Sequence, residues 1–445
     1  MESLFLLLLI SCTGECQGAA CQDVFVRSVL TVSTADGNTL ELLAQDPLDG
    51  DIVLHGGEAL GAGWSLLMGP GHLLVGAPQS DTVLSVDFRV VGDEVDIDDA
   101  LFGSLIGQGR FGAAIAAEGD LLWVGAPDRD VGRGRPKAGV ALLFEGLGTG
   151  WQGTVLAEED ALFAVLGEEP YQHLGEEVAA CEDIDGDGQT DLLVTAAWDH
   201  TGADLGGRVF AVLSSERLEL SREVLVGSFN TSWWSTDEGA QLGRSLACAD
   251  LDGDGVQEVL LGAPFADGSA GDATGAVYVL QAPFQAGSVQ EQALAVLEGV
   301  SADSYLGWSL DVGDLDGDGS PEVVAGAPGA NGGLGAVGVW GSNFALRTIY
   351  RGTQTSRFGS TVRLADVDGD GVDDLIVGAP TLEGRAGTIT LWRGDPDTDW
   401  SRVLDDTEAP ASFVGEAFGE LGQAVSLGDL DGDGDADLVM VMRVE

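Results

Sequence analysis

The hydrophobic pattern of this chain is a series of short apolar runs, each closed by Gly or Pro and recurring along the whole length. Leu74-Val75-Gly76-Ala77-Pro78, Val124-Gly125-Ala126-Pro127, Leu260-Leu261-Gly262-Ala263-Pro264, Val324-Ala325-Gly326-Ala327-Pro328 and Ile376-Val377-Gly378-Ala379-Pro380 are copies of one theme. Two further copies drift, at Val194-Thr195-Ala196-Ala197 and at Val439-Met440-Val441. Runs this short, rich in β-branched residues and bounded by turn formers, predict buried strands. Each is preceded by an apolar-Gly pair: Phe111-Gly112, Leu174-Gly175, Leu242-Gly243, Leu306-Gly307, Phe358-Gly359 and Leu421-Gly422, with Ala62-Gly63-Trp64 aligned at the start.

In the unit that opens at Leu306, strands are expected around Leu310 to Val312, Glu322 to Gly326, Gly335 to Trp340 and Leu346 to Tyr350. Four antiparallel strands in roughly 50 to 70 residues is the size of a propeller blade. Seven unit starts predict an all-β, seven-bladed β-propeller over residues 23–445. The last unit ends just after its second strand, so short strands between Val24 and Leu54 are expected to complete that blade and leave no open sheet edge.

Polar positions add chemistry between the first two strands of five units. Asp183, Asp185, Asp187 and Asp191 stand at positions 1, 3, 5 and 9 of a Gly-containing loop. The same spacing returns in Asp250, Asp252, Asp254 and Glu258, in Asp314, Asp316, Asp318 and Glu322, in Asp366, Asp368, Asp370 and Asp374, and in Asp429, Asp431, Asp433 and Asp437. Four carboxylates so close repel one another unless a cation lies between them. Alternating Asp with one backbone carbonyl, Ser320 in the third loop, suits Ca²⁺, which takes six to eight oxygens. About five Ca²⁺ sites are therefore expected. An EF-hand needs an acid at position 12, where these loops carry Val194, Leu261, Ala325, Val377 and Met440. The first two units have only the short turns Gly69-Pro70-Gly71-His72 and Ala117-Glu118-Gly119-Asp120, and are expected to bind no ion.

These units resemble FG-GAP repeats, the blades of the integrin α-subunit propeller and of many bacterial surface proteins; Phe358-Gly359 and Gly378-Ala379-Pro380 carry both halves of the name within one repeat. The resemblance implies calcium in lower-face loops of the later blades and a protein or glycan partner at the upper face. Five loops exceed the integrin pattern, so integrin function itself is not expected to transfer.

The formal charge of −55, from 74 acidic and 19 basic residues, excludes nucleic acid as a natural partner, even after five Ca²⁺ ions bring it to about −45. Leu4 to Ile10 is apolar but too short to span a bilayer, and Leu9-Ile10-Ser11-Cys12 resembles a bacterial lipobox. Residues 1–22 are thus expected to be a signal or lipoprotein segment, with Cys12 as a lipid anchor, although Met1-Glu2-Ser3 lacks the usual basic residue. The expected setting is a secreted or cell-surface lipoprotein of a bacterium, monomeric as a propeller.

Cys16 and Cys21 lie close enough to pair in an oxidising compartment. Cys181 and Cys248 each precede a loop by two residues, where other units carry Val312, Leu364 and Leu427; they read as small buried hydrophobes, with a bridge between adjacent repeats as the alternative.

Trp340 and Trp392, at equivalent third-strand positions, read as blade core. Trp233-Trp234, in a polar stretch before Leu242, has two readings: rim packing, or exposed rings able to stack on a sugar. His55, His72, His173 and His200 fall at unrelated places, and Asp199-His200 is the one neighbouring acid–base pair, so no enzyme is expected.

Overall fold

The computed structural model describes residues 65–444 except 70, 92–93, 218–221, 382–385, 396–402, 416–419 and 430–435, together with strands at 4–11, 25–26, 32–33, 39–42 and 52–56. The chain is an all-β propeller. Six sheets contain four successive antiparallel strands each. The fifth blade is representative: Ser309–Gly313, Glu322–Ala327, Ala336–Trp340 and Leu346–Arg351. These are the strands the apolar runs predict. The first blade departs by a long hairpin, Thr82–Val91 with Glu94–Ile106.

Six complete blades correct the expected seven. The last unit supplies only the hairpin Val425–Gly428 and Asp437–Val444, which lies in a seven-stranded sheet with the N-terminal strands. The strand beside Asp437–Val444 is Leu4–Ser11, with Ile52–Gly56 and Thr39–Leu42 beyond it. The third place expected for strands after Val24 is thus held by the apolar run nearer the terminus, a sequence suited to a strand flanked on both sides. First strands of successive blades touch in turn, and Val425–Gly428 touches both Thr361–Ala365 and Ser65–Gly69. The hairpin therefore fills the remaining place around the axis.

The core is divided between blades. One buried cluster joins Leu193, Val209 and Trp233 of the third blade to Val259, Leu261 and Tyr278 of the fourth. Another joins Val324, Val339 and Tyr350 of the fifth to Leu375, Val377 and Trp392 of the sixth. The glycines of the motif fix this fit. Gly359 has φ +85°, which a side chain resists, and a Cβ at Gly326 would lie 2.0 Å from the Gly359 carbonyl oxygen. In the third blade Thr195 replaces that inner glycine, and its Oγ1 accepts the Glu177 N–H at 2.9 Å.

Cys181 and Cys248 form a disulfide with Cα atoms 5.7 Å apart, which corrects their reading as separate hydrophobes. The two first strands are neighbours across the boundary of blades three and four, and equivalent positions there face each other. Cys12, Cys16 and Cys21 lie outside the described residues. Among the described residues no helix is long and apolar enough to cross a membrane.

Candidate metal centre

Each acidic loop joins the innermost strand of a blade to the second strand, and the residue at position two anchors it. Ile184, Leu251, Leu315 and Val367 are buried there, and each packs in the cluster shared with the following blade. The loop above this plug is wound by its own carboxylates. Asp250 Oδ1 accepts the N–H groups of Gly253 at 2.8 Å and Asp254 at 3.1 Å, and its Oδ2 accepts that of Gly255 at 2.9 Å. Asp183 and Asp366 repeat the pattern.

The position-nine acid opens the second strand and is buried in every loop: Asp191, Glu258, Glu322, Asp374 and Asp437. In four of them one oxygen accepts the N–H of the position-two residue, from Ile184, Leu251, Leu315 and Val367, at 2.8 to 3.2 Å. This ties the two ends of the loop; the other oxygen accepts the Ser214 N–H in Asp191 and the Gly394 N–H in Asp374. Burial raises these groups, Asp191 to about 6 and Glu322 and Asp374 each to about 7, and the loop's own aspartates push in the same direction.

Ligand oxygens come within 4.8 Å of one another in four groups: Asp183, Asp185 and Asp191; Asp250, Asp252 and Asp254; Asp314, Asp316 and Glu322; and Asp366, Asp368 and Asp374. The position-five residues Asp187, Asp318 and Asp370 stand outside their groups, and in the second loop Glu258 does. In the fifth loop Asp429 and Asp437 are described, whereas Asp431 and Asp433 lie outside the described residues. Glu322 Oε1, without a hydrogen bond, is met by the Arg347 guanidinium as an ion pair, while Asp368 Oδ1 is buried and accepts no hydrogen bond. A carboxylate oxygen left so costs several kcal/mol unless a cation meets it, so these residues fit a hard cation.

Several neighbours carry no sequence signal at the loop itself. Arg347 Nη1 lies 3.0 Å from Glu322 Oε1 and also pairs with Asp316, while Arg393 Nη1 is 2.8 Å from Asp368 Oδ2. Gln281 Nε2 donates to Asp252 Oδ2 and Ser214 Oγ to Asp187 Oδ2, both at 2.8 Å. Ser214, Gln281 and Arg393 sit just past the third strand, whose end reaches the loop of its own blade.

The other candidate chemistry does not assemble. Trp233 is fully buried on the fourth strand of blade three, edge-on to Phe284 at 5.1 Å, and Trp234 lies under the Arg208 guanidinium at 5.5 Å. The exposed-ring reading is thereby corrected: alternation along a strand, not a rim loop, places these rings. Asp199 is buried and accepts from Gln172 Nε2 at 2.6 Å, while His200 pairs with Asp204, so the two neighbours do not act on each other. Trp340 and Trp392 are buried in blade core, as their strand positions predict.

The FG-GAP repeat family matches residues 174–211, 242–280, 306–340 and 358–392. Integrin alpha-V of Gallus gallus is 35% identical over 142 residues, 31% of this chain and 14% of that protein. Integrin alpha-IIb of Homo sapiens is 37% identical over 151 residues, again 31% of this chain and 14% of the relative. The chain thus spans about a seventh of the length of these curated relatives. Among solved structures, the WD40 domain of Toxoplasma gondii coronin aligns over 86% of this chain and 81% of its own, with a TM-score of 0.47 and 11% identity. The chain is thus a β-propeller that carries four FG-GAP repeats, and through them it is similar to integrin α chains.

Proposed function

We propose that the chain is a calcium-stabilised propeller that works outside the cell as a platform for a protein partner. The observation that carries the calcium reading is the buried Asp368 Oδ1, which accepts no hydrogen bond, inside a loop whose other acids Asp366 and Asp374 converge on the same point, a convergence repeated in three further loops. The ions bind the 1, 3, 5 and 9 acids of five loops, Asp431 and Asp433 included, and hold the bend between the first two strands. Millimolar extracellular calcium suits such weak structural sites.

The platform reading rests on the likeness to integrin α repeats. The chain acts without enzymatic chemistry of its own. A protein partner is favoured over a glycan because Trp233 is buried. Residues 1–22 serve as the export segment of a bacterial surface lipoprotein with Cys12 as its anchor, so that removal of Leu4–Ser11 on processing leaves the later N-terminal strands to close the last sheet. The last hairpin is closed by N-terminal strands, and the propeller is monomeric.

Calorimetric titration of chelator-treated protein with Ca²⁺ tests the central claim. About five equivalents bound, with a raised unfolding temperature, are expected; no heat and no stabilisation would refute it. Mass spectrometry of the mature N-terminus, reading a lipid-modified Cys12 or its absence, tests the anchor.

A further inference from the structure

The loops repeat one another closely, but the opposite ends of the same first strands do not. The residue that follows each apolar-Gly pair lines one cavity of about 570 Å³ on the axis, and it is Ala113, Glu176, Arg244, Trp308, Ser360 and Gln423 in successive units. Six equivalent positions thus carry six different side chains, so the repeated geometry of the blades does not dictate them.

Charge is distributed unusually here. In a chain with 74 acids and 19 bases, four arginines, Arg110, Arg244, Arg357 and Arg363, line this cavity against three glutamates. Arg110 pairs with Glu176 at 3.5 Å and Arg244 with Glu177 at 3.3 Å. Arg357 is exposed and pairs with no carboxylate among the described residues. Its guanidinium lies over the Trp308 ring at 5.2 Å, and that of Arg244 lies over the same ring at 5.0 Å. Burial also holds the Glu177 carboxyl up at about 7, against the pull of Arg244, which trims the negative charge facing the cavity near neutral pH.

We propose that this cavity is a binding site for a small organic carboxylate, held by the Arg357 guanidinium beside Trp308. A guanidinium matches a carboxylate in plane and in donor spacing, and the volume is that of a small-molecule pocket. A singly charged carboxylate is favoured over phosphate or sulfate because the strongly negative protein repels a dianion more. The site is independent of the calcium loops, which lie at the other ends of the first strands.

The test is titration of the calcium-loaded protein with acetate and lactate, followed by calorimetry and ligand-observed NMR, with sulfate and methylammonium as comparisons. Saturable binding of one carboxylate per chain is expected, weakened about tenfold or more by R357Q, whose exposed position leaves the unfolding temperature unchanged. R351Q, at a residue paired with Asp405 outside the cavity, leaves carboxylate binding as it was. Failure of both acids to saturate, equal affinity in R357Q, or tighter binding of sulfate or methylammonium would overturn the assignment. Binding of a pentapeptide through its free terminal carboxylate, without binding of the free acids, would place the chemistry on a protein partner and overturn the small-ligand reading.

Discussion

The backbone N–H of Asp373 donates to the carbonyl oxygen of Asp314 at 2.9 Å, joining the acidic loop of blade five to that of blade six. The same link runs from Gln257 to Asp183 at 2.8 Å and from Ala436 to Asp366 at 2.9 Å. The donor is always position eight of the later loop. Position eight of the third loop is Pro321, which has no N–H, so no such bond can run from that loop back to Asp250.

Calcium sites are therefore expected to couple within two sets, the loops at Asp183 and Asp250 and the loops at Asp314, Asp366 and Asp429, with no backbone bond between the sets. A titration of wild type should resolve two phases. Pro321→Gln, which restores the donor, should draw them together; an unchanged two-phase curve in that variant would count against the coupling.

Removing one buried acid should cost one ion. Asp374→Asn is expected to lower the calcium stoichiometry by one and to cut calcium-dependent stabilisation by about 2.7 kcal/mol where the ion stands a hundredfold above its Kd. Differential scanning calorimetry with and without Ca²⁺ separates this from a general loss of stability, which would lower both traces alike.

The metal-free protein should respond to pH in the sense opposite to most proteins. Asp191, Glu322 and Asp374 are raised to about 6, 7 and 7 in the fold, above the ordinary value near 4 of an unfolded carboxyl. The fold binds these protons more tightly than the unfolded chain does. Their contribution is therefore full below about pH 4 and fades as pH rises through about 7. Calcium-stripped protein should melt higher at pH 5 than at pH 8, and added calcium, which binds the ionised acids, should reverse the order.

The Cys181–Cys248 bridge spans 67 residues of chain. Loop-closure arguments give such a link about 4 kcal/mol through the unfolded state. Reduction, or Cys181→Ala with Cys248→Ala, should lower denaturant stability by roughly 2–4 kcal/mol, read by urea unfolding in saturating calcium.

Filling the inner glycine should disrupt the blade boundary. Gly326→Ala places a methyl 2.0 Å from the Gly359 carbonyl oxygen, a backbone atom that cannot swing aside. A loss of roughly 1–3 kcal/mol is expected from the urea midpoint.

Strands and loops were readable in sequence because both are local: an apolar run of five, or acids at positions 1, 3, 5 and 9, needs no knowledge of a neighbour. What crosses between units was not. Cys181 and Cys248 occupy matching positions before their loops, a clue to adjacency, but only lateral packing of the first strands decides that they bond. Trp233 could be read as packed or as exposed because its flanking residues are polar, and Thr231–Trp234 is a strand whose alternation turns that ring inward. Arg244, Trp308 and Arg357 come from three different units, and no spacing announces that they share one cavity. The strand at Leu4–Ser11 reads equally well as an export segment, since both want an unbroken apolar run.

Because Ile184, Leu251, Leu315 and Val367 each lodge in the hydrophobic layer of the blade that follows, no wedge owns a complete interior. A single wedge cut free would carry half an oily seam on each flank and collapse or aggregate. Truncation should thus remove stability in steps set by seams lost rather than by residues deleted, and the smallest fragment able to stand alone should contain at least two adjoining wedges with their shared seam intact.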